Sequence, residues 1–344
     1  MDLQKIIRPN IWKMAPYSSA RDEFKDAVGD FVFLDANENP FDNSLNRYPD
    51  PMQTQLKVVL SKLKGVETNQ ILVGNGSDEV LDLLFRAVCE PNVDNVLTIA
   101  PSYGMYSVLA NLNAVENRLQ LLDADFQPKV EEILSKVDAR TKMIFLCSPN
   151  NPTGNDIIPE KIVQLLENFD GFVVIDEAYI EFSNQNSWIE VLNDYPNLVV
   201  TQTLSKAVGL AGLRVGLLYA NKDFVGILNK IKPPYNVNVL SQAKAVEILK
   251  DYDKVAAATA LIVEEKKKMN EALKEISFIQ KIYPSAANFI LIEVDDANSR
   301  YEQVLAAGFV LRNRTKDPLC KNCLRISVGT PSENEALLNL LKTL

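Results

Sequence analysis

The stretch MIFLCSPNNPTGNDIIPEKIVQLLENFDGFVVID, residues 143–176, decides the fold. Met143 to Leu146 and Phe172 to Ile175 are short, wholly apolar runs, and between them Pro159 to Phe169 repeats its apolar residues at helical spacing. Two strands that are apolar on both faces, joined by a helix, make a parallel unit whose sheet is covered on each side. The same alternation extends outward. Ile71 to Val73, Val96 to Ile99, Leu198 to Thr201 and Val215 to Tyr219 read as buried strands, and Asp78 to Cys89, Tyr103 to Leu112 and Pro128 to Val137 as helices. After the Lys232-Pro233-Pro234 break the pattern changes. Helices are expected over Val239 to Leu249 and from Asp253 to Ile276, strands at Phe289 to Val294, Phe309 to Arg312 and Leu324 to Val328, and a closing helix from Ser332 to Leu344. The expectation is an α/β domain followed by a smaller α+β domain.

Composition narrows the chemistry. With 344 residues, 47% of them hydrophobic, the chain can bury a large core and a second, smaller one. A net charge of −9 opposes the basic footprint of nucleic-acid and anionic-membrane binders, so small molecules and other subunits are the expected partners. The first ten residues carry Asp2, Lys5 and Arg8 and no uninterrupted apolar core of a signal peptide, and no apolar run approaches the roughly 20 residues that span a bilayer. Four cysteines are too few for a disulfide framework, and a cytoplasmic location is expected. Cys320 and Cys323 form a C-x-x-C that reads either as ordinary loop residues or as half of a metal or redox site whose other half is missing. The chain contains no histidine, which removes imidazole bases, Ser-His-Asp triads and histidine-ligated metals together. Proton transfer must fall to Lys, Tyr, Asp, Glu or a cofactor.

Ligands of open α/β sheets bind beyond the carboxyl ends of the strands, and there the sequence is polar and unusual. After Val73 comes Gly74-Asn75-Gly76-Ser77-Asp78-Glu79, a capped helix start that also suits an anion such as a phosphate. After Leu146 comes Ser148 to Gly154, a turn fixed by two prolines and a glycine, with Asn151 placed to donate to a ligand oxygen. Asp176 and Glu177 follow Val173-Val174-Ile175 at a strand mouth, where an unpaired carboxylate is costly; a metal or a protonated heterocyclic nitrogen would each answer it. Lys206 lies in the uncharged run from Thr203 to Gly212, where burial would favour the neutral amine that condenses with carbonyls. Arg214, eight positions on, suits bidentate phosphate binding. In order, these pieces describe a phosphorylated, protonatable heterocyclic aldehyde held by a lysine, and pyridoxal 5′-phosphate (PLP) fits.

The ordered set S-P-N-N-P-T-G (Ser148 to Gly154), D-E-A-Y (Asp176 to Tyr179) and S-K-A-V-G-L-A-G-L-R (Ser205 to Arg214) resembles the fold-type I, PLP-dependent aminotransferases. Within them the chain is similar to the histidinol-phosphate aminotransferase family over nearly its whole length, through Arg8 to Tyr17, Asp35 to Pro40, Arg47 to Pro51, Pro101 to Tyr106 and Cys323 to Thr330. That gives the missing histidines a context: economy in an enzyme made when histidine is scarce. The resemblance implies a large, mostly parallel seven-stranded-sheet domain over 41–235 and a smaller α+β domain from 1–40 plus 236–344. It implies that Lys206 carries PLP and moves the substrate proton, that Asp176 pairs with the ring nitrogen, and that Tyr179 and Asn151 reach the phenolic oxygen. Tyr103 would stack on the ring. Ser77, Asp78, Thr203, Ser205 and Arg214 would hold the phosphate, joined by Tyr48 from the neighbouring subunit of a homodimer. Arg325, assisted by Arg312 and Tyr17, would take the phosphate of histidinol phosphate in one half-reaction and the carboxylate of glutamate, exchanged with 2-oxoglutarate, in the other; alternatively Arg312 is an exposed strand-end residue paired with Asp317. Val208 and Leu217 depart from positions where relatives often carry an aromatic residue. An aromatic amino-acid aminotransferase and a threonine-phosphate decarboxylase relative are the competing activities on this scaffold. A PLP-binding regulator would need a basic DNA-binding module, for which this acidic chain has no room.

Overall fold

The computed structural model of the chain describes residues 1–16 and 32–344, so Tyr17 lies outside the described residues. Helices α1 (Leu3–Ile6), α2 (Pro9–Lys13) and α3 (Thr54–Lys64) precede β1 (Ile71–Asn75), α4 (Ser77–Val88), β2 (Asn95–Ala100), α5 (Met105–Leu112), β3 (Glu116–Leu121) and α6 (Val130–Ser135). The chain continues through β4 (Thr141–Cys147), α7 (Pro159–Asn168), β5 (Phe172–Asp176), β6 (Leu198–Thr203), β7 (Val215–Ala220) and α8 (Lys222–Ile231). The remainder comprises α9 (Val239–Leu249), α10 (Tyr252–Leu273), β8 (Ile279–Ile282), β9 (Phe289–Val294), α11 (Ala297–Ala306), β10 (Arg312–Asn313), β11 (Cys323–Ser327) and α12 (Pro331–Leu341).

Seven strands form one sheet in the order β1-β7-β6-β5-β4-β2-β3, parallel throughout except β7, which runs antiparallel to both neighbours. The expected α/β architecture is present. Alternation along each strand explains the continuous apolar runs. Val173 and Ile175 point into one core cluster with Ile144, Leu146 and Val200, whereas Phe172 and Val174 point into the other with Phe145 and Val199. Phe145 is wedged between Phe85 and Tyr106, with centroids 5.3 and 5.2 Å away. Of the segment expected to accompany the smaller domain, Ile7 and Ile11 instead bury in this second cluster, against the large sheet.

The second sheet is four-stranded and antiparallel, β10-β11-β9-β8, with its own core around Ile290, Ile292, Leu324 and Ile326. The expected strand from Phe309 is shortened to Arg312–Asn313. Gly308 at φ +90° turns the chain, and the Phe309 N–H still bonds back to the Val304 carbonyl, so these residues close α11 rather than start a strand. Strands β3 and β8 carry no apolar run and are not among the expected elements; both are edge strands, and in β3 only Gln120 is buried.

Candidate active site

The carboxyl ends of β1, β2, β4, β5 and β6 open along one edge of the large sheet onto a cleft of about 590 Å³. Its walls include Ser77, Asp78, Tyr103, Asn151, Asp176, Tyr179, Thr203, Ser205, Lys206 and Arg214, and the second sheet adds Arg312 and Arg325. The structure therefore brings together the described residues to which the resemblance assigns cofactor or substrate contacts, with one exception. Tyr48 lies elsewhere, stacked on Tyr235 at 4.5 Å in a separate groove and 52% exposed.

At one end of the cleft two glycines allow β7 and the start of α4 to touch. A Cβ on Gly216 would lie 2.4 Å from the Gly76 carbonyl carbon and the Ser77 nitrogen, and one on Gly76, whose φ is +85°, would lie 2.6 Å from Nη2 of Arg214. The first-turn N–H groups of α4 have no acceptor within the helix, so they and the guanidinium form one positively polarised cradle. Gly216→Ala is expected to push the two segments apart, lowering stability by about 1–3 kcal/mol and weakening capture of a phosphorylated ligand. Thermal denaturation and a cofactor titration by fluorescence would check both effects.

Asp176 ends β5 and is buried, with Tyr106 Oη donating to its Oδ2 at 2.7 Å and the Ala178 N–H donating to Oδ1 at 3.2 Å. Burial pushes its pKa up, the two donors oppose that, and no ion pair to it exists among the described residues. A carboxylate so placed calls for a buried cation. Across the cleft Lys206 Nζ sits 5.6 Å from the centroid of the Tyr179 ring. The amine opens into the cleft and is accessible there, yet the enclosing walls lower its pKa first, the charges of Arg325 and Arg214 lower it further, and Asp176 opposes them. The arrangement favours a neutral amine. Tyr103 donates to Asp78 Oδ1 at 3.0 Å, and the Thr203 hydroxyl accepts from the Ser205 N–H at 3.1 Å, which fixes the loop carrying Lys206.

The other end is an arginine cluster. Arg325 faces Arg312 across the β10–β11 pair, donates from Nη1 to Asn151 Oδ1 and lies 4.9 Å over the Phe289 ring. Arg312 makes no ion pair among the described residues; the expected partner Asp317 instead holds Arg314 Nη2 at 2.5 Å. Arg314, which also lines the cleft, is the residue the sequence reading misses. The signal was available, because Arg312-Asn313-Arg314 places two cations two residues apart on a strand end. Tyr106 is missed too: an aromatic at helical spacing reads as core, and it is core as well as a donor to Asp176.

The family model for aminotransferase class I and II matches residues 23–341. The chain belongs to the class I and II aminotransferases. It is 58% identical to the histidinol-phosphate aminotransferase of Flavobacterium johnsoniae, an alignment covering 100% of this chain and 99% of that one. With the enzyme of the same name from Bacteroides fragilis the identity is 50%, over 99% and 98% of the two chains. Among solved structures, histidinol-phosphate aminotransferase from Clostridium acetobutylicum matches with a TM-score of 0.80 and 26% identity over 87% of this chain and 90% of that one. The Sinorhizobium meliloti enzyme, in complex with pyridoxal-5′-phosphate, matches at 0.78 and 24% identity, over 86% and 82%. For an aminotransferase of this family the cofactor is PLP. The cleft fits it: an anion cradle at Ser77 and Arg214, a buried carboxylate lacking a cation at Asp176, and an amine with a depressed pKa at Lys206.

Proposed function

We propose that the chain exchanges the amino group between L-histidinol phosphate and 2-oxoglutarate, the transamination of histidine biosynthesis. The reading is carried by one observation: a neutral-leaning amine, a buried carboxylate and a cluster of three arginines share a single cleft in a chain this similar to histidinol-phosphate aminotransferases.

When bound, PLP supplies a reactive aldehyde and an electron-withdrawing ring. The N–H groups at Ser77 and Asp78, the hydroxyls of Thr203 and Ser205 and the Arg214 guanidinium are assigned to its phosphate. Asp176 would hold the proton on the ring nitrogen, Tyr103 would cover a ring face, and Asn151 and Tyr179 would hydrogen-bond the phenolic oxygen. Lys206 would hold the aldehyde and, as a free amine beside the substrate, would accept and hand on its α-proton. Arg325, with Arg312 and Tyr17, captures the phosphate ester in one half-reaction and the glutamate carboxylate in the other, so one cation cluster serves both substrates in turn. Two copies are assigned to a homodimer in which Tyr48 of each reaches the other's phosphate cradle; its exposure outside its own cleft supports this. All four cysteines are unpaired thiols, which supports a cytoplasmic location, and no helix among the described residues is long and apolar enough to cross a membrane.

Steady-state assays with histidinol phosphate, phenylalanine and tyrosine as competing donors test the reading. Histidinol phosphate is expected to have the highest kcat/KM; preference for an aromatic amino acid, or CO₂ release without glutamate formation, would overturn it. Arg312→Ala is expected to raise KM for histidinol phosphate by roughly 10- to 100-fold, the loss of one charge-assisted contact, with a smaller change in kcat.

A further inference from the structure

Directly behind the arginine end of the cleft lies a cysteine pair that takes no part in the chemistry assigned above. Cys320 and Cys323 are both fully buried. The Cys323 N–H donates to the Cys320 carbonyl at 3.1 Å, closing a turn in which Asn322 has φ +55°. The ends of such a turn lie within about 7 Å of each other, and disulfides span Cα separations of roughly 4.4–6.8 Å, so the backbone already provides the reach of a bridge. The two thiols act on each other, the pKa of Cys320 raised chiefly by Cys323 and that of Cys323 lowered chiefly by Cys320, the division of labour of an attacking thiolate and its partner, and the Cys323 thiol donates to the Lys321 carbonyl at 3.5 Å. Cys89 and Cys147 lie in a different core cluster, where burial pushes both thiols up and leaves them inert.

The turn is tied to the arginine cluster on both sides. Cys320 N–H donates to the Asp317 carbonyl at 3.1 Å, and Arg314 N–H donates to the Cys323 carbonyl at 2.8 Å. Cys323 also opens β11, two residues before Arg325. A disulfide sets its sulfurs about 2.05 Å apart, well inside van der Waals contact, so closing one within this reach re-aims both side chains in their packed surroundings and passes the adjustment to the strand ends that carry Arg314 and Arg325. The neighbours Leu319 and Lys321 are exposed, so opening of this one turn admits a small reagent.

We propose that Cys320 and Cys323 are a modification site, a reversible intramolecular disulfide whose closure weakens capture of the substrate's anionic group by Arg312, Arg314 and Arg325. The oxidant is a low-molecular-weight disulfide such as oxidised glutathione. The Cys323 thiolate attacks one of its sulfurs and releases one glutathione thiolate; the Cys320 sulfur then attacks Sγ of Cys323 and releases the second. Two protein thiols are oxidised, one glutathione disulfide is reduced, and the two protons leave on the glutathione thiols.

The test incubates reduced holoenzyme with oxidised glutathione, follows intact mass and alkylated-peptide maps, and measures kinetics with histidinol phosphate. The expected result is a loss of about 2 Da, a Cys320–Cys323 link, and KM raised about threefold or more with kcat within about twofold, all reversed by dithiothreitol. Cys320→Ala is expected to abolish these changes while retaining the kinetics of the reduced enzyme, and Cys323→Ala serves if the first variant folds poorly. A stable glutathione adduct, two thiols that still alkylate, or a closed bridge that leaves KM unaltered would each overturn the proposal. Its kinetic consequence rests on the phosphate-capturing role of the arginines, and the two fail differently: a reduced enzyme inert toward histidinol phosphate sinks that role, whereas the bridge is read by mass alone.

Discussion

Replacing Lys206 with alanine is expected to lower transamination by at least about 10⁴-fold, the combined loss of the two roles proposed for it, the amine that holds the cofactor aldehyde and the base that takes the substrate proton. The fold should survive. The Lys206 side chain projects into the cleft rather than into packed core, and its loop is held by backbone bonds that do not involve it, Gly209 N–H to the Lys206 carbonyl at 3.0 Å and Leu210 N–H to the Leu204 carbonyl at 2.8 Å. Stability is therefore expected to change by less than about 1 kcal/mol. The phosphate cradle at Ser77 and Arg214 is untouched, so the variant should still bind PLP while no longer retaining it after borohydride treatment and denaturation, a readout separate from turnover. Activity within tenfold of the unaltered protein would show that another group does this work. The depressed Lys206 pKa adds a sign. The neutral amine is available from a lower pH than an ordinary lysine's, and capture of PLP by cofactor-free protein should slow as pH falls through that value.

The large sheet and most of the cleft were legible because they obey short-range rules. A parallel sheet covered on both faces favours unbroken apolar runs, so Met143 to Leu146 of β4, Phe172 to Ile175 of β5 and Leu198 to Val200 of β6 stand out, and the polar residues that follow them, Asn151, Asp176 and Lys206 among them, are conspicuous for the same reason. The edge strand β3 escapes that rule, because only its Gln120 is buried. Long-range partnerships escaped it too. Nothing local in Tyr106 announces a donor to a carboxylate 70 residues away, and the choice of Asp317 between Arg312 and Arg314 is settled by a turn that bends the chain back within three residues.

Asp176→Asn should produce opposite effects on the cofactor-free and the working enzyme. In the cofactor-free fold burial raises the Asp176 pKa above its unfolded value, so the stability associated with its neutral form is fully present below the unfolded pKa and is lost as pH rises through the folded one. Above that folded pKa the fold carries a buried, uncompensated carboxylate. An asparagine removes the charge and keeps both contacts, its oxygen accepting from the Ala178 N–H and its amide donating to the Tyr106 hydroxyl, which can turn to accept. Cofactor-free variant should thus be at least as stable as the unaltered protein, by up to about 1–2 kcal/mol, and its stability should depend less on pH in that range. With PLP the order is expected to reverse: the carboxylate proposed to hold a proton on the ring nitrogen is gone, the stabilisation PLP gives should shrink, and turnover should fall on the order of 10³-fold. Thermal melts with and without PLP across pH, together with kcat, read both halves. A cofactor-free variant clearly less stable than the parent would mean that Asp176 is held by a compensating charge and not poised for one, and unchanged turnover would remove it from the chemistry.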